Sequence, residues 1–218
     1  MMQSMCKKVI CFDLDDTLYK EIEFVESGFR FIAESENRLD LLPKMMGWRN
    51  RGEDVFFNFN KAIGKVTAQS EYLKMYRYHK PRIVLLSEVA NTLDELKNRG
   101  CVLGVITDGR GETQWNKIKA LGLEKWLDHE NIIISEIFGS EKTDERNFRY
   151  FVKRYPRCEY IYVGDNPKKD FVVANRLQWK TIMLKDDGKN IHNQDIEVEN
   201  DFQPQYQIDS LNDILTLI

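Results

Sequence analysis

The chain has 218 residues, 42% hydrophobic and 31% charged, with a formal net charge of −3. This is an ordinary globular composition, long enough for one core domain with an insert, and it argues against a dedicated nucleic-acid binder. The four cysteines, Cys6, Cys11, Cys101 and Cys158, form no CxxC pair or Cys/His cluster, so no structural zinc site is expected.

The opening stretch MMQSMCKKVI has no long apolar segment, so neither a signal peptide nor a membrane span is expected. The cytoplasm is the expected location, which suits Cys11 and Cys101 as buried thiols inside apolar runs. The first strand is VICF (9–12), and it runs straight into Asp13-Leu14-Asp15-Asp16-Thr17. Residues 22–36 read as a helix with Ile22, Val25, Phe29 and Ile32 on one side. Residues 53–79 carry Phe56, Phe57, Phe59, Ile63, Tyr72, Met75 and Tyr76, and 84–98 form a helix leading back to a second strand. Too much chain lies between the two strands for a simple crossover, so 20–82 is expected to be an inserted helical subdomain with those aromatics as its core.

Strands follow at 101–107, 131–135, 160–164 and 181–184, as continuous apolar runs. Between them lie helical patterns: one with Trp115, Ile118, Leu121 and Leu123, one capped by Thr143 with Phe148, Phe151 and Val152 inside, and KKDFVVANRLQW. Alternating strands and helices predict right-handed crossovers and a parallel sheet, an α/β fold. Residues 185–207 are polar and read as irregular. Residues 208–218 read as a closing helix capped by Asp209 or Ser210.

In such a sheet, ligands bind beyond the carboxyl ends of the strands. Strand one delivers Asp13, Asp15 and Asp16 there; strand two delivers Thr107, Asp108, Gly109 and Arg110. The third strand is followed by Lys142, and the fourth by Gly164, Asp165, Asn166 and Asp170. Clustered carboxylates suit a hard divalent cation such as Mg²⁺, with Asp13 and Asp165 as ligands and a backbone carbonyl near Asp15 adding to the set. Thr107 can donate to a phosphoryl oxygen, the Gly109 N–H adds anion-binding capacity, and Lys142 can neutralise charge and orient a carboxylate. Asp16 and Asp108 read as helix-start or solvated carboxylates.

The set Asp13-x-Asp15-x-Thr17-Leu18, Thr107, Lys142 and Gly164-Asp165-Asn166-Pro167-x-x-Asp170 resembles the haloacid dehalogenase-like superfamily of phosphohydrolases. The resemblance implies a Rossmann-like core over 1–19 and 83–218 with a class I helical cap over 20–82. It implies Asp13 as the nucleophile that forms an aspartyl-phosphate and Asp15 as general acid/base. Thr107 and Lys142 would bind the phosphoryl group, and Asp13, Asp15, Asp165 and Asp170 would build the Mg²⁺ site. Thr143 stands where relatives commonly have proline. Asp15 argues against carbon–halogen cleavage, since halide needs no proton to leave. The implied partner is a small phosphorylated metabolite, handled by a monomer or homodimer with no nucleic acid or membrane. Sugar phosphates, nucleotides and phosphoglycolate stay open, and so do a phosphomutase and a catalytically silent phospho-ligand binder. Arg110 is a candidate for a second substrate anion, and Trp48, Arg49 and Arg51 are possible cap contacts.

Overall fold

A computed structural model describes residues 8–218; Cys6 lies outside them. Strand β1 (Lys8–Phe12) occupies the middle of a six-stranded sheet. Beside it on one side lie β2 (Val102–Thr107) and β3 (Ile132–Ile134). On the other lie β4 (Glu159–Gly164), β5 (Lys180–Leu184) and β6 (Tyr206–Ile208), giving the order β3-β2-β1-β4-β5-β6. Every pairing is parallel, with Cys11 opposite both Gly104 and Tyr162. Residues 9–12 are wholly buried because both faces of β1 are covered. Ile10 and Phe12 point into one apolar cluster, and Val9 and Cys11 into the other, as the two-residue period of a strand requires. Cys101 is buried as well.

Four helices lie between β1 and β2 and before the crossover helix: α1 (Glu21–Ser35), α2 (Leu42–Asn50), α3 (Val55–Ile63) and α4 (Gln69–Tyr78). They enclose a separate apolar cluster containing Phe29, Ile32, Met45, Phe59 and Tyr72, so the helical insert has its own core. Helix α3 is set locally. The Asp54 carboxylate accepts the Phe57 N–H at 2.9 Å, and Gly64 ends the helix at φ 69°. The crossover α5 (Ser87–Asn98) begins three residues later than its apolar pattern, because Ile83 to Leu86 form no regular structure and Leu86 is extended.

Helices α6 (Gly111–Ala120), α7 (Ser135–Phe138), α8 (Arg146–Arg154) and α9 (Val172–Arg176) complete the crossovers. Three expectations are corrected. Thr143 does not cap α8; the Asp144 carboxylate accepts the Arg146 N–H at 2.9 Å instead. The polar tail hides a sixth strand, an edge strand of three residues of which Ile208 alone is buried, too short to show a pattern. The closing helix is a 3₁₀ turn (Leu211–Asp213) followed by α10 (Ile214–Leu217), begun by a capping box between Ser210 and Asp213. Among the described residues no helix is long and apolar enough to cross a membrane.

Helix α8 approaches the sheet so closely that a Cβ on Gly104 would lie 2.6 Å from the Phe151 ring. Gly104→Ala is therefore expected to cost about 1–3 kcal/mol through overpacking. Thermal unfolding should show a midpoint lowered by several degrees; an unchanged midpoint would contradict this packing.

Candidate active site

The strand ends deliver their polar residues to one cavity, lined by Asp13, Asp15, Thr107, Lys142 and Asp165 together with Glu21 from the start of α1. Carboxylate oxygens of Asp13, Asp165 and Asp170 all lie within 4.8 Å of one another, and all three side chains are buried. The Lys142 ammonium, itself 1% exposed, sits 2.5 Å from Asp13 Oδ1 and 2.9 Å from Asp170 Oδ1. Three buried carboxyls thus surround one ammonium, which is bonded to two of them, and the shortfall in positive charge shows at Asp13 and Asp165. Burial, with Asp170 and Asp15 beside it, pushes Asp13 up to about 7 despite Lys142. Burial and the neighbouring Asp170, Asp13 and Asp16 push Asp165 up to about 9. Burial acts against the Lys142 charge, but Asp13 and Asp170 outweigh it and raise its pKa.

Asp170 fixes the turn after β4. Its Oδ2 accepts the N–H groups of Asp165 at 3.1 Å and Asn166 at 2.8 Å while Oδ1 takes Lys142. A Cβ on Gly164 would lie 2.5 Å from that Oδ2, so only glycine admits the carboxylate here. Three close hard oxygen donors with unmet negative charge fit a divalent metal ion.

Asp15 is two residues from Asp13 but faces elsewhere. Its Oδ1 receives Lys117 Nζ at 2.7 Å and the Tyr19 hydroxyl at 2.5 Å, and its Oδ2 receives Gln114 Nε2 at 2.9 Å. Burial alone would raise the Asp15 pKa, but Lys117, Gln114 and Tyr19 overcome it and hold the group below its ordinary value. The Asp15 carboxylate is engaged by Lys117, Gln114 and Tyr19 and lies outside the three-carboxylate group, which leaves its backbone carbonyl for the expected metal set. Gln114 also donates to Thr107 Oγ1 at 2.6 Å, which leaves the threonine O–H to donate outward. Lys117 and Gln114 had no signal in the sequence beyond their three-residue spacing on one helix; both are 3% exposed or less.

Asp16 lies in the turn ahead of α1 rather than at its first residue, and it is buried rather than solvated. At φ 56° it occupies the left-handed region, and its two oxygens accept the Glu21 N–H at 2.9 Å and the Ile191 N–H at 2.8 Å. Asp108 accepts the Lys142 N–H at 3.0 Å and lies 3.4 Å from Lys169 Nζ. Two further expectations change. The Gly109 N–H is taken by Ser135 Oγ at 3.0 Å. Arg110 lines a neighbouring depression, where it lies 3.7 Å from Glu136. In the cap, Arg51 pairs with Glu53, and Trp48 packs against the cap cluster. Trp48, Arg49 and Arg51 are all absent from the cavity lining.

A parallel α/β sheet with an inserted helical subdomain, carrying clustered aspartates and a lysine at its carboxyl edge, defines a class of hydrolase. The family model described as haloacid dehalogenase-like hydrolase matches residues 10–184, and the chain belongs to that family. It is 33% identical to a glyceraldehyde 3-phosphate phosphatase of Methanocaldococcus jannaschii, covering 97% of this chain and 96% of the relative. It is 29% identical to one of Methanopyrus kandleri, covering 97% of both. Among solved structures, the fold resembles the magnesium-bound HAD-hydrolase YfnB of Bacillus subtilis, with a TM-score of 0.70 at 18% identity, covering 97% of this chain and 98% of that one.

Between about pH 4 and pH 9 the folded metal-free protein holds more protons on Asp13 and Asp165 than the unfolded chain, whose carboxyls titrate near 3.8. These two groups therefore subtract stability as pH rises through that window, and a bound cation offsets the loss. Mg²⁺ is expected to raise the thermal midpoint more at about pH 8.5 than at about pH 6. An equal shift at both, or none, would contradict the metal reading.

Proposed function

We propose that this hydrolase is a Mg²⁺-dependent phosphatase of small phosphate monoesters whose organic part is otherwise uncharged, with glyceraldehyde 3-phosphate as the first substrate to test. The observation that carries the reaction is the buried Asp13 carboxylate held by Lys142 in the cavity beside Asp165 and Asp170. The hydrogen bonds to Asp13 fall on Oδ1, from Lys142 and from the Leu14 N–H at 2.7 Å, so Oδ2 is the oxygen for attack on phosphorus.

An Asp13–phosphorus bond forms as the ester bond breaks, and protonated Asp15 donates to the leaving oxygen. Asp15 then takes a proton from the water that displaces Asp13, releasing inorganic phosphate and restoring both carboxyls. Protonation of Asp15 requires its contact with Lys117 to loosen as substrate enters. Thr107 donates its O–H to a phosphoryl oxygen, and Lys142 with Asp170 keeps Asp13 oriented. Asp13, Asp165 and Asp170, with the Asp15 backbone carbonyl, would hold Mg²⁺, which when bound supplies charge neutralisation for the phosphoryl group. The cap is taken as 20–82 and the core as 1–19 with 83–218, of which 1–7 lie outside the described residues; the separate apolar cluster of the insert supports the division. The protein is taken as a monomer or a homodimer acting on a small phosphorylated metabolite. Buried Cys11 and Cys101 suit the reducing cytoplasm.

The substrate class rests on two supports. The five curated relatives are each described as a glyceraldehyde 3-phosphate phosphatase. Among the described residues no arginine lines the cavity, Lys142 is committed to two aspartates, Lys169 lies 3.4 Å from Asp108, and Glu21 adds another acid to the wall. A second anionic group on the substrate would meet like charge there. Phosphate release from a panel of esters with Mg²⁺ is expected to favour triose phosphates over phosphoglycolate. Asp13→Asn should reduce release at least about 10³-fold and Asp15→Asn by about 10²–10⁴-fold. Wild-type activity that survives Asp13→Asn, or isomerisation of a sugar phosphate without phosphate release, would refute the reading.

A further inference from the structure

The polar stretch after β5 folds into a loop with more attachments than its composition suggests. Asp186 Oδ1 accepts the N–H groups of Gly188, Lys189 and Asn190 at 2.8 to 2.9 Å, which curls residues 186–190 around one oxygen. Asn190 then bridges two parts of the site: its Oδ1 accepts from Lys20 Nζ at 2.8 Å, and its Nδ2 donates to Asp165 Oδ2 at 3.2 Å. The Ile191 N–H bonds Asp16, and the Ile191 side chain packs against the apolar cluster of the cap. Gln194 closes the loop by donating to the carbonyls of Asp165 and Leu184 at 2.8 and 2.9 Å. Between these anchors His192 reaches the wall of the catalytic cavity, which the residues delivered by β1 and β2 also line.

We propose that the loop 186–194 is the substrate-selecting wall of this site, and that the His192 imidazole N–H donates to the carbonyl or hydroxyl oxygen of a short aldehyde- or hydroxyl-bearing phosphate ester. The inference rests on the phosphatase reading. Of the other donors on the lining, the Thr107 O–H is given to the phosphoryl group and the Asn166 amide sits on the turn after β4 beside the carboxylate cluster. Asp15 and Glu21 are acceptors when ionised, while Lys142 and Lys169 are drawn to Asp13, Asp170 and Asp108. A neutral carbonyl needs a donor that is not bound to a carboxylate, and His192 supplies one on the wall formed by this loop, away from the Asn166 turn. The loop holds that donor in place because Ile191 before it bonds Asp16 and Gln194 after it bonds the Asp165 carbonyl, next to the reacting centre. Selectivity therefore comes from the core side of the cavity as well as from the helical insert.

The test compares glyceraldehyde 3-phosphate with an aryl phosphate, which has no carbonyl or hydroxyl for His192 to recognise. In His192→Ala the ratio of the two kcat/KM values should fall about five- to tenfold against the triose phosphate, carried mainly by KM, with His192→Asn restoring part of it. Asp186→Ala, which frees the loop without touching the cavity wall, should shift the ratio in the same direction while thermal unfolding verifies the fold. An unchanged ratio in both variants of an active protein overturns the loop assignment alone. Absence of phosphate release by the wild type from either ester overturns the phosphatase reading and the loop assignment with it.

Discussion

The structure is organised around an imbalance of charge: Asp13, Asp165 and Asp170 are buried together with one lysine, Lys142, bonded to the group. Burying a carboxylate is costly unless it is paired, and removing a partner from such a set typically costs about 3–5 kcal/mol. The surrounding features serve to make this tolerable. Gly164 leaves room for the Asp170 carboxylate, two backbone N–H groups bond it, and Asp108 accepts the N–H of Lys142 and so fixes the loop that brings the lysine in. What remains unbalanced is the driving force for taking up a cation, and with it a phosphate ester.

The run Asp13-Leu14-Asp15-Asp16 shows how three neighbouring carboxylates avoid one another. Each finds a different partner. Asp13 meets Lys142 from the loop after α7, Asp15 meets Lys117 on α6, and Asp16 meets the backbone N–H groups of Glu21 and Ile191. The left-handed conformation at Asp16 turns the chain, and its carboxylate serves the start of helix α1 while Asp13 and Asp15 line the catalytic cavity. One tetrapeptide thereby joins the core, the helical insert and the loop after β5.

The strands of the core were legible in the sequence because they are buried on both faces and read as unbroken apolar runs, β1 most clearly. The positions of Asp13, Lys142, Asp165 and Asp170 at one edge were legible too, since strand ends of a parallel sheet converge. Lys117 and Gln114 were hidden because a helix whose polar face turns inward looks the same in one dimension as a solvated one. Gly109 and Arg110 looked like anion binders because nothing local reveals that Ser135 and Glu136, carried by the segment after β3, take them first. The loop 186–194 had no periodicity at all; its order comes from single side chains, Asp186, Asn190 and Gln194, bonding groups both nearby and far along the chain.

The central claim is that Asp13 acts as a nucleophile toward phosphorus within this carboxylate cluster. Acid quenching of the protein during turnover of a reactive phosphoester with Mg²⁺, followed by peptide mass spectrometry, tests it most directly. The account predicts one phosphoryl group attached to the Asp13 side chain, dependent on the metal. A protein that turns over the ester while its Asp13 peptide stays unmodified, or carries phosphate on another residue, would contradict it.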